Sequence, residues 1–223
     1  MAALAAKQAL PPLKDAPSAM TAAEAQSPSS QRERVLAAAL EVFSREGFEG
    51  AAMRDIAAIA DCNHGMIRYY FKNKDNLWRE AVRFLFERMD REMAIDGDLR
   101  ARLADGDRDA FEIWLRRYVR YCAEHPDHSR IMVQASIRDD ERLTWAVEEF
   151  IRRQHQEIGP VIRALIKRGV LPDHAMPHIG YILVAACQML FTLAPEVRRL
   201  YGVTVDDETI ERHADAVVSM VLR

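Results

Sequence analysis

A chain of 223 residues has room for one large domain, or for a small and a medium one. Apolar residues make up 49% and charged residues 29%, which excludes disorder throughout, and a net charge of −3 excludes a global basic field. Three widely spaced cysteines (Cys62, Cys122, Cys187) with no CxxC pair argue against a disulfide framework and fit a reducing cytoplasm.

Residues 1–30 are rich in Ala, Pro, Ser and Gln and are expected to form a disordered arm, with only Lys7 and Lys14 basic. Pro11, Pro12, Lys14 and Asp15 break up any export-signal run. No stretch reaches the ~20 apolar residues of a membrane span. The expected location is the cytoplasm.

Helical texture begins at Gln31. Val35, Leu36, Ala39, Leu40 and Phe43 form one stripe, and Gly47 stands where a helix-ending glycine belongs. A second, short helix carries Met53, Ile56, Ala57 and Ala60. After the turn Asp61-Cys62, Asn63 caps a third helix that runs to Phe71. A fourth is expected from near Asn73 to about Met93.

Phe111, Trp114, Leu115, Tyr118 and Cys122 repeat at helical spacing up to Pro126, and residues 128–138 predict a short helix. A long helix follows from about Asp140 to Arg168, with a kink near Pro160 and a stop at Gly169. Residues 177–194 are apolar almost all round, which predicts burial on every side. The last helix starts near Asp206 with the stripe Ile210, Ala214, Val217, Val218 and Val221. The expected fold is all-α: a three-helix helix-turn-helix domain at 31–75, then a six-helix ligand-binding and dimerisation domain at 76–223.

Three short helices with a tight turn between the second and third make the helix-turn-helix geometry, with the motif at 52–71. Ile67 and Phe71, at i and i+4, anchor the third helix to the small core. Gly65, Met66, Arg68 and Tyr69 then point outward, with His64 and Tyr70 on the flanks. From Asn63 to Lys74 there are three cations, Arg68, Lys72 and Lys74, and no acid. Lys74 lies in the first turn of a helix, where the dipole disfavours a cation, and a phosphate contact is the natural explanation. The expected DNA-binding set is Arg54, Asn63, His64, Gly65, Met66, Arg68, Tyr69, Tyr70, Lys72 and Lys74.

The stretch QRERVLAAALEVFSREGFEGAAMRDIAAIADCNHGMIRYYFKNKDNL resembles the DNA-binding domain of the TetR family. That family's shape is a first helix ending in a phenylalanine and "xxGF", then "IA..AGVS.G.LYYHF..K..L". Ile56 and Ala57 match its bracing helix, Asn63 takes its capping serine position, and Gly65, Ile67, Phe71, Lys74 and Leu77 match directly. Asp61 stands at the family's turn glycine, which asks for a left-handed conformation that Asp tolerates better than most residues. Cys62 replaces its valine. Arg68 replaces an aromatic and is suited to a bidentate grip on guanine. Beyond these residues the resemblance is to layout alone.

The resemblance implies a homodimer on a palindromic double-stranded operator, held through the two final predicted helices, and a small-molecule effector bound in the second domain. Trp114, Tyr118, Tyr121, Met132, Trp145 and Phe150 are the candidate effector-pocket residues, although such positions are core more often than pocket. No cofactor and no membrane partner are expected.

An enzyme is the rival reading. Cys122, His125 and His128 surround Pro126, and His174 and His178 stand at i, i+4, residue types that can bind a divalent metal. Both sets straddle helix ends, so exposed histidines and no metal site are expected. No phosphate loop, nucleophile elbow or paired-carboxylate motif is present. A purely structural dimerisation module would have no use for the basic face on the third helix.

Overall fold

The computed structural model describes residues 30–223, so the expected arm lies outside the described residues except for Ser30. Ser30 is the N-cap of helix α1 (Gln31–Gly50). Its side chain accepts from the Glu33 amide, and the Glu33 carboxylate accepts from the Ser30 amide. The predicted stripe Val35, Leu36, Ala39, Leu40 and Phe43 is buried. At Gly47 the backbone turns to φ 71°, ψ 173°, a conformation open almost only to glycine, and the α-helical geometry breaks there. Helices α2 (Met53–Ile59), α3 (His64–Phe71) and α4 (Lys74–Glu92) follow.

The remainder is α5 (Gly97–Ala104), α6 (Arg108–Glu124), α7 (Pro126–Arg138), α8 (Glu141–Ala146), a π-helical turn (Val147–Ile151), α9 (Arg152–Lys167), α10 (Met176–Thr192), α11 (Ala194–Tyr201) and α12 (Asp207–Val221). No strand occurs among the described residues, as an all-α fold requires. Two short helices, α5 and α11, were not anticipated. Each carries its signals: Asp96 caps α5 by accepting from the Leu99 amide, and Pro195 opens α11, which Gly202 closes at φ 67°.

Three expectations need correction. Helix α9 runs through Pro160 without interruption, and the departure from α geometry falls earlier, at the π turn. The α10 helix is not buried on every side. Its covered stripe is Ile179, Leu183, Cys187 and Phe191, while Tyr181 and Ile182 are 66% and 56% exposed. The α12 stripe Ile210, Ala214, Val217 and Val218 is consumed inside the chain, packed in one cluster with Phe111, Leu115 and Val119 of α6. An apolar stripe announces that a face is covered, not whether the same chain or a second copy covers it.

Buried side chains fall into two clusters. The first joins α1 to α4 with Ile131 and Ala135 of α7 and Phe150 of the π turn, whose ring stacks on Phe86 at 4.4 Å. The second joins α5, α6, α9, α10 and α12. Helix α4 serves both: Leu77 to Phe86 pack in the first, and Met89 lies against the second. The head carrying α2 and α3 is thus fastened to the body through α4, α7 and the π turn. Among the described residues no single helix is long and apolar enough to cross a membrane.

Candidate nucleic-acid interface

The pair α2–α3 is built from local caps. Asp61 adopts φ 48°, the left-handed conformation expected of the turn position. The amides of Asp61 and Cys62 donate back to the carbonyls of Ala58 and Ala57 at 3.4 and 3.0 Å, which terminates α2. Asn63 then caps α3, its side-chain oxygen accepting from the Met66 amide at 2.8 Å. A cap of this kind stabilises by about 1 kcal/mol. Ile67 is fully buried and Phe71 is 3% exposed, so one face of α3 is fixed on the core.

The opposite face is open. His64, Gly65, Arg68, Tyr69 and Tyr70 are exposed, Tyr69 by 81%, and Met66 is half-buried. Arg54 on α2 and Lys72 after α3 are exposed as well. Asn63, at the start of α3, is exposed with them. Gly65 has a local reason beyond access: an added Cβ would lie 3.1 Å from the capping oxygen of Asn63. The chain leaves α3 through Lys72 at φ 65°, ψ −55°, with the Asn73 amide donating to the Phe71 carbonyl at 2.7 Å. This tight three-residue turn is strained for a non-glycine residue.

Lys74 sits differently from the other cations. Its ammonium donates to the Glu49 carbonyl at 3.1 Å and lies 4.8 Å from the Phe48 ring centroid. The unfavourable helix-terminus position therefore has a structural explanation as well as the expected phosphate one. Phe48 is also covered by the Arg142 guanidinium, 3.6 Å from its centroid, a contact that periodicity could not reveal.

The six candidate effector residues do not form one group. Trp114 and Tyr118 stack along α6 at 5.4 Å, and they and Tyr121 pack in the second cluster. Met132, Trp145 and Phe150 belong to the first. Between the clusters runs a polar seam. Arg88 donates from Nη2 to both carboxylate oxygens of Asp127 at 2.9 Å, and the Tyr121 hydroxyl bonds Nδ1 of His128 at 2.8 Å. Burial holds the His128 imidazole down to about 3 and pushes the Tyr121 phenol up. Arg88 Nε is buried without a hydrogen-bond partner.

Cys122, His125 and His128 each sit in a setting of their own. Cys122 is buried, and burial pushes its thiol up; His125 bonds Glu92 at 2.7 Å and His128 bonds Tyr121. His125 and His128 are half-buried and partnered, in contrast to the exposure expected; His174 and His178 are exposed.

The model of bacterial regulatory proteins of the tetR family matches residues 35–81, which include all of α2 and α3. The regulator RutR of Escherichia coli K12 is 24% identical over 180 residues, covering 81% of this chain and 82% of its own. The repressor NicS of Pseudomonas putida is 27% identical over 174 residues, covering 74% and 77%. The chain is thus similar to TetR-family regulators, through the family model over residues 35–81 and through relatives along most of its length. These relatives are named as helix-turn-helix transcriptional regulators or repressors, and none of them is named as an enzyme. Solved structures of other proteins share its fold. A linker-substituted HlyIIR superposes with a TM-score of 0.62 at 20% identity, covering 83% of this chain and 96% of that one. The ketosteroid regulator KstR2 of Mycobacterium tuberculosis gives 0.65 at 16% identity, covering 87% and 96%.

Proposed function

We propose that this TetR-family regulator is a ligand-responsive repressor that grips a palindromic operator as a homodimer and is released when a small molecule binds residues 76–223. Residues 31–75 act as the reading head. The observation that carries the reading is the open, acid-free face of α3: Ile67 and Phe71 are buried, while the exposed side carries Arg68, Tyr69 and Lys72 in a chain of net charge −3. Gly65, Met66, Arg68 and Tyr69 meet base edges. Arg54, Asn63, His64, Tyr70, Lys72 and Lys74 position the head on the backbone.

Helix α10 supports the dimer. Tyr181, Ile182, Ala185 and Met189 stand exposed at helical spacing, an apolar stripe that no described residue covers. On α12, Ala216, Ser219 and Met220 are exposed too. Two such pairs form a four-helix interface between copies.

For the effector, the three α6 aromatics offer an apolar wall, and the unpartnered Arg88 Nε offers a donor. A buried donor without an acceptor costs ~1–3 kcal/mol, which an effector carrying an acceptor relieves. Met132, Trp145 and Phe150 then stand on the head side and carry the response. The test is retardation of the DNA upstream of the gene, with affinity falling steeply as salt rises. Failure to retard any upstream fragment at low salt would overturn the reading.

A further inference from the structure

The α2–α3 pair hangs between two corners. The front corner is Gly47 to Ala52, at the end of α1; the back corner is Lys72 to Asp75, at the start of α4. Arg142, near the start of α8, touches both. Its guanidinium covers the Phe48 ring and lies 3.7 Å from a Glu49 carboxylate oxygen and 3.8 Å from one of Asp75. We propose that Arg142 is the positioning residue through which the body of the protein sets the placement of the DNA-reading helix.

Four observations support the assignment. Arg142 is itself held: Asp140, the cap of α8, accepts from both its backbone amide and its guanidinium. Its side chain is only 18% exposed, so it is not a free surface arginine available to phosphate. Lys74, a proposed phosphate contact, shares the Phe48 ring with it and donates to Glu49, so the grip on the front corner reaches the back one. Beside it, Gln134 of α7 donates to the Ser44 carbonyl at 3.1 Å, and a cavity of about 290 Å³ lies between the end of α1 and α7. That space leaves room for α7 and the start of α8 to shift against the front corner.

The route back into the body is continuous. Helix α8 leads directly into the π turn, a feature that often marks functional sites. There Phe150 stacks on Phe86 of α4, and Trp145 meets Trp78 of α4 at 6.0 Å. A displacement of α8 therefore moves Arg142 and both corners together, whereas α3 itself packs chiefly against α2 and α4.

This inference rests on the reading of α3 as the DNA-contacting helix, so its test has one arm with DNA and one without. In the first, Arg142→Ala and Arg142→Lys are compared with wild type on an upstream duplex that wild type retards. Arg142→Ala is expected to weaken binding about tenfold with the slope of log K against log salt unchanged, because no phosphate contact is lost. Arg142→Lys keeps the charge without the planar stack and is expected to fall between the two. In the second arm, hydrogen exchange of the free proteins should show residues 47–62 exchanging faster in Arg142→Ala while α10 and α12 keep their wild-type protection. Wild-type exchange in 47–62 would overturn the inference, as would a slope reduced by one phosphate contact per protomer. An affinity loss explained by a smaller folded fraction would overturn it too. A wild-type protein that retards no duplex overturns the DNA reading instead, and the exchange arm then still decides whether Arg142 positions the head.

Discussion

Lys72 separates stability from binding, because its backbone and its side chain pull in opposite directions. The residue holds φ 65°, ψ −55° in a three-residue turn, a region that costs a non-glycine residue ~1–3 kcal/mol. Replacing it by glycine removes that strain and adds ~0.5–1 kcal/mol of backbone entropy in the unfolded chain. The side chain is exposed, with no hydrogen bond or ion pair among the described residues, so its removal breaks no contact. The balance favours Lys72→Gly by about 1 kcal/mol, a rise of roughly 3 °C in melting midpoint for a chain of this size. The same change deletes a proposed phosphate contact from each protomer. The slope of log K against log salt should therefore fall by about 2 for the dimer, with sequence preference retained. Differential scanning fluorimetry and salt-titrated anisotropy read the two effects. A lower melting midpoint would refute the strain argument, and an unchanged salt slope would refute the phosphate contact.

Asp61→Gly should also stabilise, by ~0.5–1 kcal/mol, since φ 48° suits glycine better than aspartate; urea midpoints measure it. Ile182→Glu, on the exposed α10 stripe, should convert the proposed dimer to a monomer in sedimentation equilibrium while helical content stays at the wild-type level. His128 makes stability depend on pH in a defined direction. Its imidazole is held at about 3 against an ordinary 6.5, so between those values the unfolded chain binds a proton that the folded chain does not. Stability should thus be full above 6.5 and fall as pH drops, by up to ~1.4 kcal/mol per pH unit, and His128→Asn should flatten that slope in urea titrations.

The reading helix was legible because its determinants are local. Asn63 as cap, Asp61 in a left-handed turn and Gly47 at the break each act within four or five residues, so sequence order alone locates them. Ile67 and Phe71 add a two-residue anchor at helical spacing, and the exposed face follows by subtraction. The body was less legible because its determinants are remote. The α12 stripe looks the same whether it meets α6 or a second copy, and only tertiary packing shows that α6 takes it. The same holds for Arg142 over Phe48, 94 positions apart in the chain, and for Trp145 and Phe150, which read as pocket aromatics yet pack with the head. The π turn has no composition signal, whereas α11 was marked by Pro195 and Gly202, local signals open to a sequence reading.

The central claim is that the open face of α3 reads base sequence. Selection from a random double-stranded DNA library, run in parallel with wild type and Arg68→Ala, tests it most directly. The account predicts that wild type enriches an inverted repeat with half-sites one or more helical turns apart, and that Arg68→Ala loses preference at one base pair of each half-site while keeping the spacing. No enrichment by wild type at low salt, or an identical motif from both proteins, would contradict it.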